Sequence, residues 1–313
     1  MRVLIVGVGY VGLPLGAELV RLGHEVHGLR RSAATHEALR HAGIRPLLAD
    51  ISRAETLAGL PNDFDWVINC AATGGGSVED YHQLYLQGTR NLIEWLVPGS
   101  AGVPPASCST GAAANRRRDG GAPRFLYTSS TGVYGQNDGS LVDESSPSEP
   151  ASETAQVLVE TERALLVAAR ERNFPAMILR AAGIYGPGRG YLRKQFLSDE
   201  ARIEGDGGRI LNMIHRDDLI RAIIAALERG QPGEIYNASD DEPVSQLKFF
   251  TWLAEKLGKA LPPIATAQTE IARWRGLTSK RISNRKLRAL GCELKYPTFR
   301  EGYAAEIAAL GIV

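Results

Sequence analysis

The apolar positions of this chain fall into short β-rich runs separated by stretches with helical spacing. Residues 2–6 form a β-branched run followed by a glycine turn, and an apolar pattern of helical period then extends to Leu22 and Gly23. Residues 25–29 read as a second strand. The alternation continues with strands at 45–49 and 66–70, a helix at 78–96, a strand at 124–128, a helix at 152–172 and a strand at 176–179. Repeated strand-helix units predict a Rossmann-type, doubly wound parallel sheet with helices on both faces. Pro14 fits this pattern because it falls in the first helical turn, whose N–H groups have no acceptor within the helix. Asp217 is expected to be the N-cap of a helix running to Leu227, with His215 leading the chain into it.

One segment has no apolar period. From 98 to 123 the chain is rich in Gly, Ala, Ser and Pro and carries Arg116, Arg117 and Arg118 together, which marks an inserted surface loop. The 313 residues suit one large α/β domain with a smaller attached lobe, and an apolar fraction of 44% is ordinary for a globular chain. Lys and Arg number 36 against 35 Asp and Glu, so no nucleic-acid partner and no membrane is expected. Cys70, Cys108 and Cys292 show neither disulfide nor zinc spacing, and a reducing cytoplasm is the expected home. No later segment is apolar for long enough to span a bilayer.

The glycine turn carries candidate chemistry. Gly7, Gly9 and Gly12 form GxGxxG between a strand and a helix, with Tyr10 and Val11 inside the motif. Gly7 permits the tight turn, Gly9 lets the backbone approach a pyrophosphate, and Gly12 allows close packing of helix on strand. The second strand ends in Arg30, Arg31 and Ser32, where an NAD site normally puts a carboxylate against the adenosine ribose. Two guanidinium groups and a hydroxyl suit a 2′-phosphate, so NADP is expected in preference to NAD. Asp50 and Ile51 follow the third strand within reach of an adenine, and Ala71 and Ala72 end the fourth with small residues where the cofactor backbone passes.

Further along, INCAA (68–72), GTRNLIEWL (88–96), YTSSTGVYG (127–135), DESSPSEP (143–150), LRAAGIYGPGR (179–189), NMIHRDDL (212–219) and EIYNASDDEP (234–243) follow in order. In order and spacing they resemble the NAD(P)-dependent epimerase/dehydratase branch of the short-chain dehydrogenases/reductases, atypical or extended in type. The resemblance implies a Rossmann domain over 1–184, to which 213–239 returns, and a smaller substrate-binding lobe over 185–212 and 240–313. It implies cofactor contacts at Ala182 and Gly183, and a small-molecule substrate bordered by Tyr185, Arg189 and His215. It also implies a homodimer through the two helices at 78–96 and 152–172.

That family normally uses Ser, Tyr and Lys for hydride transfer. The serine corresponds to Ser130, with Thr131 beside it, while the tyrosine position falls on Thr154 and the lysine position on Leu158. A threonine hydroxyl is far less acidic than a phenol, and leucine supplies no cation. Three routes stay open: a substrate group or water carries the proton, another hydroxyl such as Tyr134, Tyr185 or Thr131 replaces the tyrosine, or hydride chemistry is lost. Asn212, His215, Asp217 and Asp218 look like a metal cluster, but the helix-start reading accounts for them and no metal is expected. Arg189, Arg193 and Lys194 could meet an anionic substrate or simply face solvent. The leading expectation is an NADP(H)-dependent oxidoreductase or epimerase acting on a small carbonyl or hydroxyl compound, sugar-derived ones included. The rival is a catalytically silent NADP-binding sensor or scaffold.

Overall fold

The computed structural model describes residues 1–97, 122–266, 278–309 and 311. The arginine triplet and the rest of the insertion up to residue 121 lie outside them. The strands are β1 (Arg2–Val6), β2 (Glu25–Arg30), β3 (Arg45–Leu48), β4 (Trp66–Asn69), β5 (Arg124–Ser130), β6 (Leu141–Val142) and β7 (Ala176–Ala181). They continue with β8 (Gly183–Tyr185), β9 (Ile210–Leu211), β10 (Met213–His215), β11 (Ile235–Ala238), β12 (Val244–Ser245) and β13 (Arg281–Ile282). The helices begin with α1 (Gly12–Arg21), α2 (His36–His41), α3 (Val78–Tyr81), α4 (Gly88–Leu96) and α5 (Glu153–Glu171). Then come α6 (Tyr191–Leu197), α7 (Arg216–Arg229), α8 (Gln246–Leu257), α9 (Arg285–Ala289) and α10 (Phe299–Ala309).

Seven strands form one sheet in the order β11-β7-β5-β4-β1-β2-β3. Its β3-β2-β1-β4-β5 portion has the Rossmann order, and β1 pairs in parallel with both neighbours, Val3 lying opposite Val26 on one side and Trp66 on the other. Strand β1 is buried at four of its five positions, as a parallel strand covered on both faces requires, and this is why RVLIV reads as a continuous apolar run. Helix α1 begins at Gly12, which places Pro14 in its first turn, and it buries Leu15 and Leu19, one turn apart.

The chain divides into two units: 1–128, 157–178 and 230–234 form the first, and 129–156, 179–229 and 235–313 the second. The residues after β5 fall in the second because their partners do. Strand β6 pairs with β13, and the Tyr134 hydroxyl donates to Asn237 Oδ1 at 2.9 Å. The first unit has a core that includes Leu4, Ile5, Leu15, Leu19, Ile68, Leu92 and Leu126. An aromatic core of its own holds the second, including Tyr185, Phe196, Phe249, Phe250, Phe299 and Tyr303.

Two local expectations need correction. The helix expected over 78–96 is interrupted, because a π-helical stretch at His82–Gln87 joins α3 to α4. Nor is Asp217 an N-cap: α7 starts at Arg216, and the His215 imidazole Nδ1 accepts from the Asp217 backbone N–H at 3.2 Å. A ring nitrogen one residue before the helix thus does what a carboxylate was expected to do, and Asp217 adds its charge to the first turn.

Candidate cofactor cradle and reactive hydroxyls

In the first unit, β1 delivers the chain to Gly7 at φ +85°, where the backbone of Ala71 lies 2.5 Å from the place a Cβ would take. Only glycine meets both the angle and this approach. Gly9 is different: nothing lies within 4 Å of its Cβ position. Its carbonyl accepts from Leu13 N–H at 3.0 Å and so starts α1, whose first turn has no side-chain cap. Open space beside an uncapped helix N-terminus is what a pyrophosphate requires, so the residues fit a dinucleotide.

At the end of β2, Arg30 Nη1 donates to the carbonyl of Val8 in the glycine turn at 2.7 Å. Arg31 is exposed, and Ser32 Oγ accepts from Ala34 N–H, capping a short turn. The Asp50 carboxylate is occupied by the N–H and hydroxyl of Ser52. Ile51 is buried against Gly88, and its carbonyl accepts from Asn91 Nδ2. Beyond β4, Asn69 Oδ1 accepts from Ala71 N–H at 3.1 Å, fixing the turn that leads to Ala72. The Thr73 N–H then donates to the Tyr85 hydroxyl at 3.3 Å, which ties this loop to the π-helical stretch. Burial pushes the Cys70 thiol up to about 11, so it is a small packing residue.

The reactive-hydroxyl candidates lie in the second unit. Ser130 ends β5, and its Oγ accepts from Gly132 N–H at 3.0 Å, folding a 3-10 turn over Thr131–Val133. Thr131 is buried, and its carbonyl accepts from Tyr134 N–H. Thr154 lies in the first turn of α5, half-exposed, with Oγ1 3.3 Å from Ser152 Oγ. Tyr134 and Tyr185, the two phenols considered as replacements, are both closed off from solvent. Burial raises both above the ordinary phenol value; the Tyr134 hydroxyl is committed to Asn237, and the Tyr185 ring stacks on Tyr303 at 4.3 Å.

Ala182 and Gly183 use their N–H groups in strand pairing, on the carbonyls of Ala238 and Asn212. Of the residues expected to border a substrate, Arg189 is exposed, whereas Tyr185 and His215 are inside the aromatic core. His215 has its ring 4.1 Å from that of Tyr296 and its Nε2 3.6 Å from Glu306 Oε1. Burial lowers its pKa to about 4, with neighbouring Asp217 opposing and Arg216 and Lys295 assisting. Burial raises the Glu306 carboxyl. Asp218, read from sequence as part of a metal-like cluster, accepts from Lys295 and Tyr296 N–H at 2.6 and 2.9 Å. Among the described residues no three His, Cys, Asp or Glu side chains converge as a metal cage needs.

Sequence reasoning missed Lys280, buried at 4% exposure with its ammonium on the carbonyl of Tyr134. A lone lysine in a polar stretch gives no periodic signal, and none could have found it.

A family model described as the NAD dependent epimerase/dehydratase family matches residues 3–239. Protein YeeZ of Escherichia coli (strain K12) is 30% identical over 304 residues, covering 95% of this chain and 96% of that protein. A solved candidate NAD-dependent epimerase/dehydratase of Methylobacillus flagellatus aligns over 99% of this chain and 98% of its own, at 31% identity and a TM-score of 0.74. UDP-glucuronic acid 4-epimerase from Bacillus cereus, in complex with UDP-glucuronic acid and NAD, aligns over 99% of both chains. Its TM-score of 0.77 at 22% identity is a likeness of fold. With a seven-stranded Rossmann sheet, a glycine cradle and a family match over most of its length, the chain belongs to the NAD-dependent epimerase/dehydratase family.

Proposed function

We propose that the protein is an NADP(H)-dependent oxidoreductase or epimerase acting on a small carbonyl or hydroxyl compound, sugar-derived compounds included. The observation that carries the cofactor choice is Arg30, moored by one N–H to the glycine turn at Val8. A guanidinium has five N–H groups, so donors remain for a 2′-phosphate, with Arg31 next along the chain and no carboxylate before Glu37. Bound NADP(H) supplies or takes the hydride.

The chain's own part begins with Gly7, Gly9, Gly12 and the start of α1, which take the pyrophosphate. Ser130 then holds a substrate oxygen: the Gly132 N–H fixes its Oγ as acceptor and leaves its proton to donate. The burial of Tyr134 and Tyr185 favours a proton carried by substrate or water over one carried by a second phenol. Calorimetry tests the cofactor choice. NADPH should bind at least about tenfold more tightly than NADH, and Arg30→Ala should remove that preference. Equal affinities in the wild type overturn it.

Thr154 and Leu158 favour a second reading, a silent NADP-binding sensor or scaffold. Stopped-flow absorbance of bound NADPH against a carbonyl panel separates the two. Oxidation that is lost in Ser130→Ala supports the enzyme, and none in the wild type supports the sensor. The free thiols of Cys70 and Cys292 suit a reducing cytoplasm, and no helix among the described residues is long and apolar enough to cross a membrane. The outward face of α4 and α5 is the surface we assign to a homodimer. Arg90, Glu94, Arg163 and Val167 line it, which sets both signs of charge beside an apolar side chain, a pattern that can complement itself across a two-fold axis.

A further inference from the structure

Lys280 sits immediately before β13, on a backbone held from two sides. Gly139 N–H donates to Ser279 O, Arg281 N–H to Ser140 O and Ser283 N–H to Val142 O, lacing this stretch to the segment around β6. On the other side Asn212 Nδ2 donates to the Lys280 carbonyl, and its Oδ1 accepts from Ile282 N–H. The side chain runs inward, where the ammonium donates to Tyr134 O at 2.7 Å and to Thr278 Oγ1 at 2.8 Å. Burying an ammonium is costly, and an apolar side chain would fill the same space without that cost, so the charge itself has a use.

The residue whose carbonyl it holds closes, through its own N–H, the turn that starts at Ser130. Tyr134 receives the chain from Thr131 through its N–H, fixes its ring through the hydroxyl bond to Asn237 and the Arg180 guanidinium 4.7 Å from the ring centre, and offers its carbonyl to Lys280. Among the described residues, Arg180 and Glu144 are the charged groups that act on the Tyr134 phenol, Glu144 accepting from Asn237 N–H, while burial alone acts on the Lys280 ammonium. Lys280 thus holds the residue at the exit of the turn whose other end carries Ser130 and Thr131.

We propose that Lys280 is a positioning residue for the Ser130–Thr131 turn, its ammonium on the Tyr134 carbonyl setting the orientation in which those hydroxyls meet substrate. The proposal rests on the reading of Ser130 as the group that holds the substrate oxygen. Burial lowers the Lys280 pKa to about 8, so its charge changes within an ordinary assay range. Between about pH 7 and 9 the ammonium loses its charge, so its bond to the Tyr134 carbonyl should weaken and the turn loosen.

The test uses the full chain with NADPH and the carbonyl panel between pH 6.5 and 9.5, together with backbone amide NMR. In the wild type, kcat should fall with a midpoint near 8, and the Gly132 and Tyr134 amide signals should move with the same midpoint. Lys280→Met should lower kcat at least about tenfold, with KM and NADPH affinity within about twofold. Lys280→Arg, which stays charged and keeps the donor, should recover most of kcat and lose the alkaline fall. It also serves if the methionine variant does not fold. Unchanged kcat in Lys280→Met, or the alkaline fall persisting in Lys280→Arg, overturns the proposal. If the wild type oxidises no NADPH, the enzymatic reading fails by itself and the amide titration still decides. Movement near pH 8 that disappears in Lys280→Arg supports the positioning contact, and flat wild-type signals overturn it.

Discussion

Gly7 and Gly9 stand two residues apart and face opposite constraints. A methyl at Gly7 meets the Ala71 backbone and a left-handed φ, so Gly7→Ala should lower stability by about 2 kcal/mol or more, read by denaturant unfolding. At Gly9 a side chain enters empty space, so Gly9→Val should leave the unfolding midpoint nearly unchanged while NADPH affinity falls at least about tenfold. His215 carries a different kind of consequence. Its folded pKa of about 4 lies below the unfolded value near 6.5, so between these the unfolded chain binds the extra proton and stability falls as pH falls. At about 1.4 kcal/mol per pH unit, this is a loss of order 3 kcal/mol by pH 4. The raised Glu306 carboxyl acts with the opposite sign, its contribution present at low pH and lost as pH rises. His215→Asn should therefore flatten the acid slope of a urea-midpoint series between pH 6.5 and 4; an unaltered slope excludes His215 as its source.

The central strands of the first unit were legible in the sequence because a parallel strand buried on both faces leaves an unbroken apolar run, as in β1 and β4, whereas the six-residue α2 was not read. Strand ends shifted by one or two residues, as at Ser130, which belongs to β5, and at Ala181, which ends β7. What stayed hidden had no period to show it. Strands of two residues such as β6, β9, β12 and β13 are too short to alternate. The π-helical stretch keeps helical composition while changing which residues share a face, and it carries Tyr85, whose hydroxyl accepts from Thr73 N–H. The start of α7 was misread because capping statistics favour Asp, whereas a buried imidazole held the N–H. Asp218 shows how closely this element is tied: its carboxylate receives two N–H groups from residues 295 and 296. Asp218→Ala should cost about 2 to 4 kcal/mol in denaturant unfolding, while Asp218→Asn, which retains one acceptor oxygen, should cost less.

For the molecule as a whole, the glycine turn of the first unit was readable because phosphate binding needs glycines at fixed spacing. No such spacing marks the candidate hydroxyls of the second unit, where Thr154 and Leu158 stand in place of the expected tyrosine and lysine. The homodimer assigned to α4 and α5 has a direct check: Val167→Glu places a carboxylate on an exposed apolar position and should shift sedimentation toward monomer at micromolar concentration. A wild type that sediments as monomer rejects the assignment. The division into two units also bears on biosynthesis. The first unit takes its last segment from residues 230–234, after the chain has already entered the second unit twice. A ribosome emitting this chain cannot release a finished cofactor-binding half early; the nascent chain stays open until residue 234 has emerged, and truncation before that point leaves neither half complete.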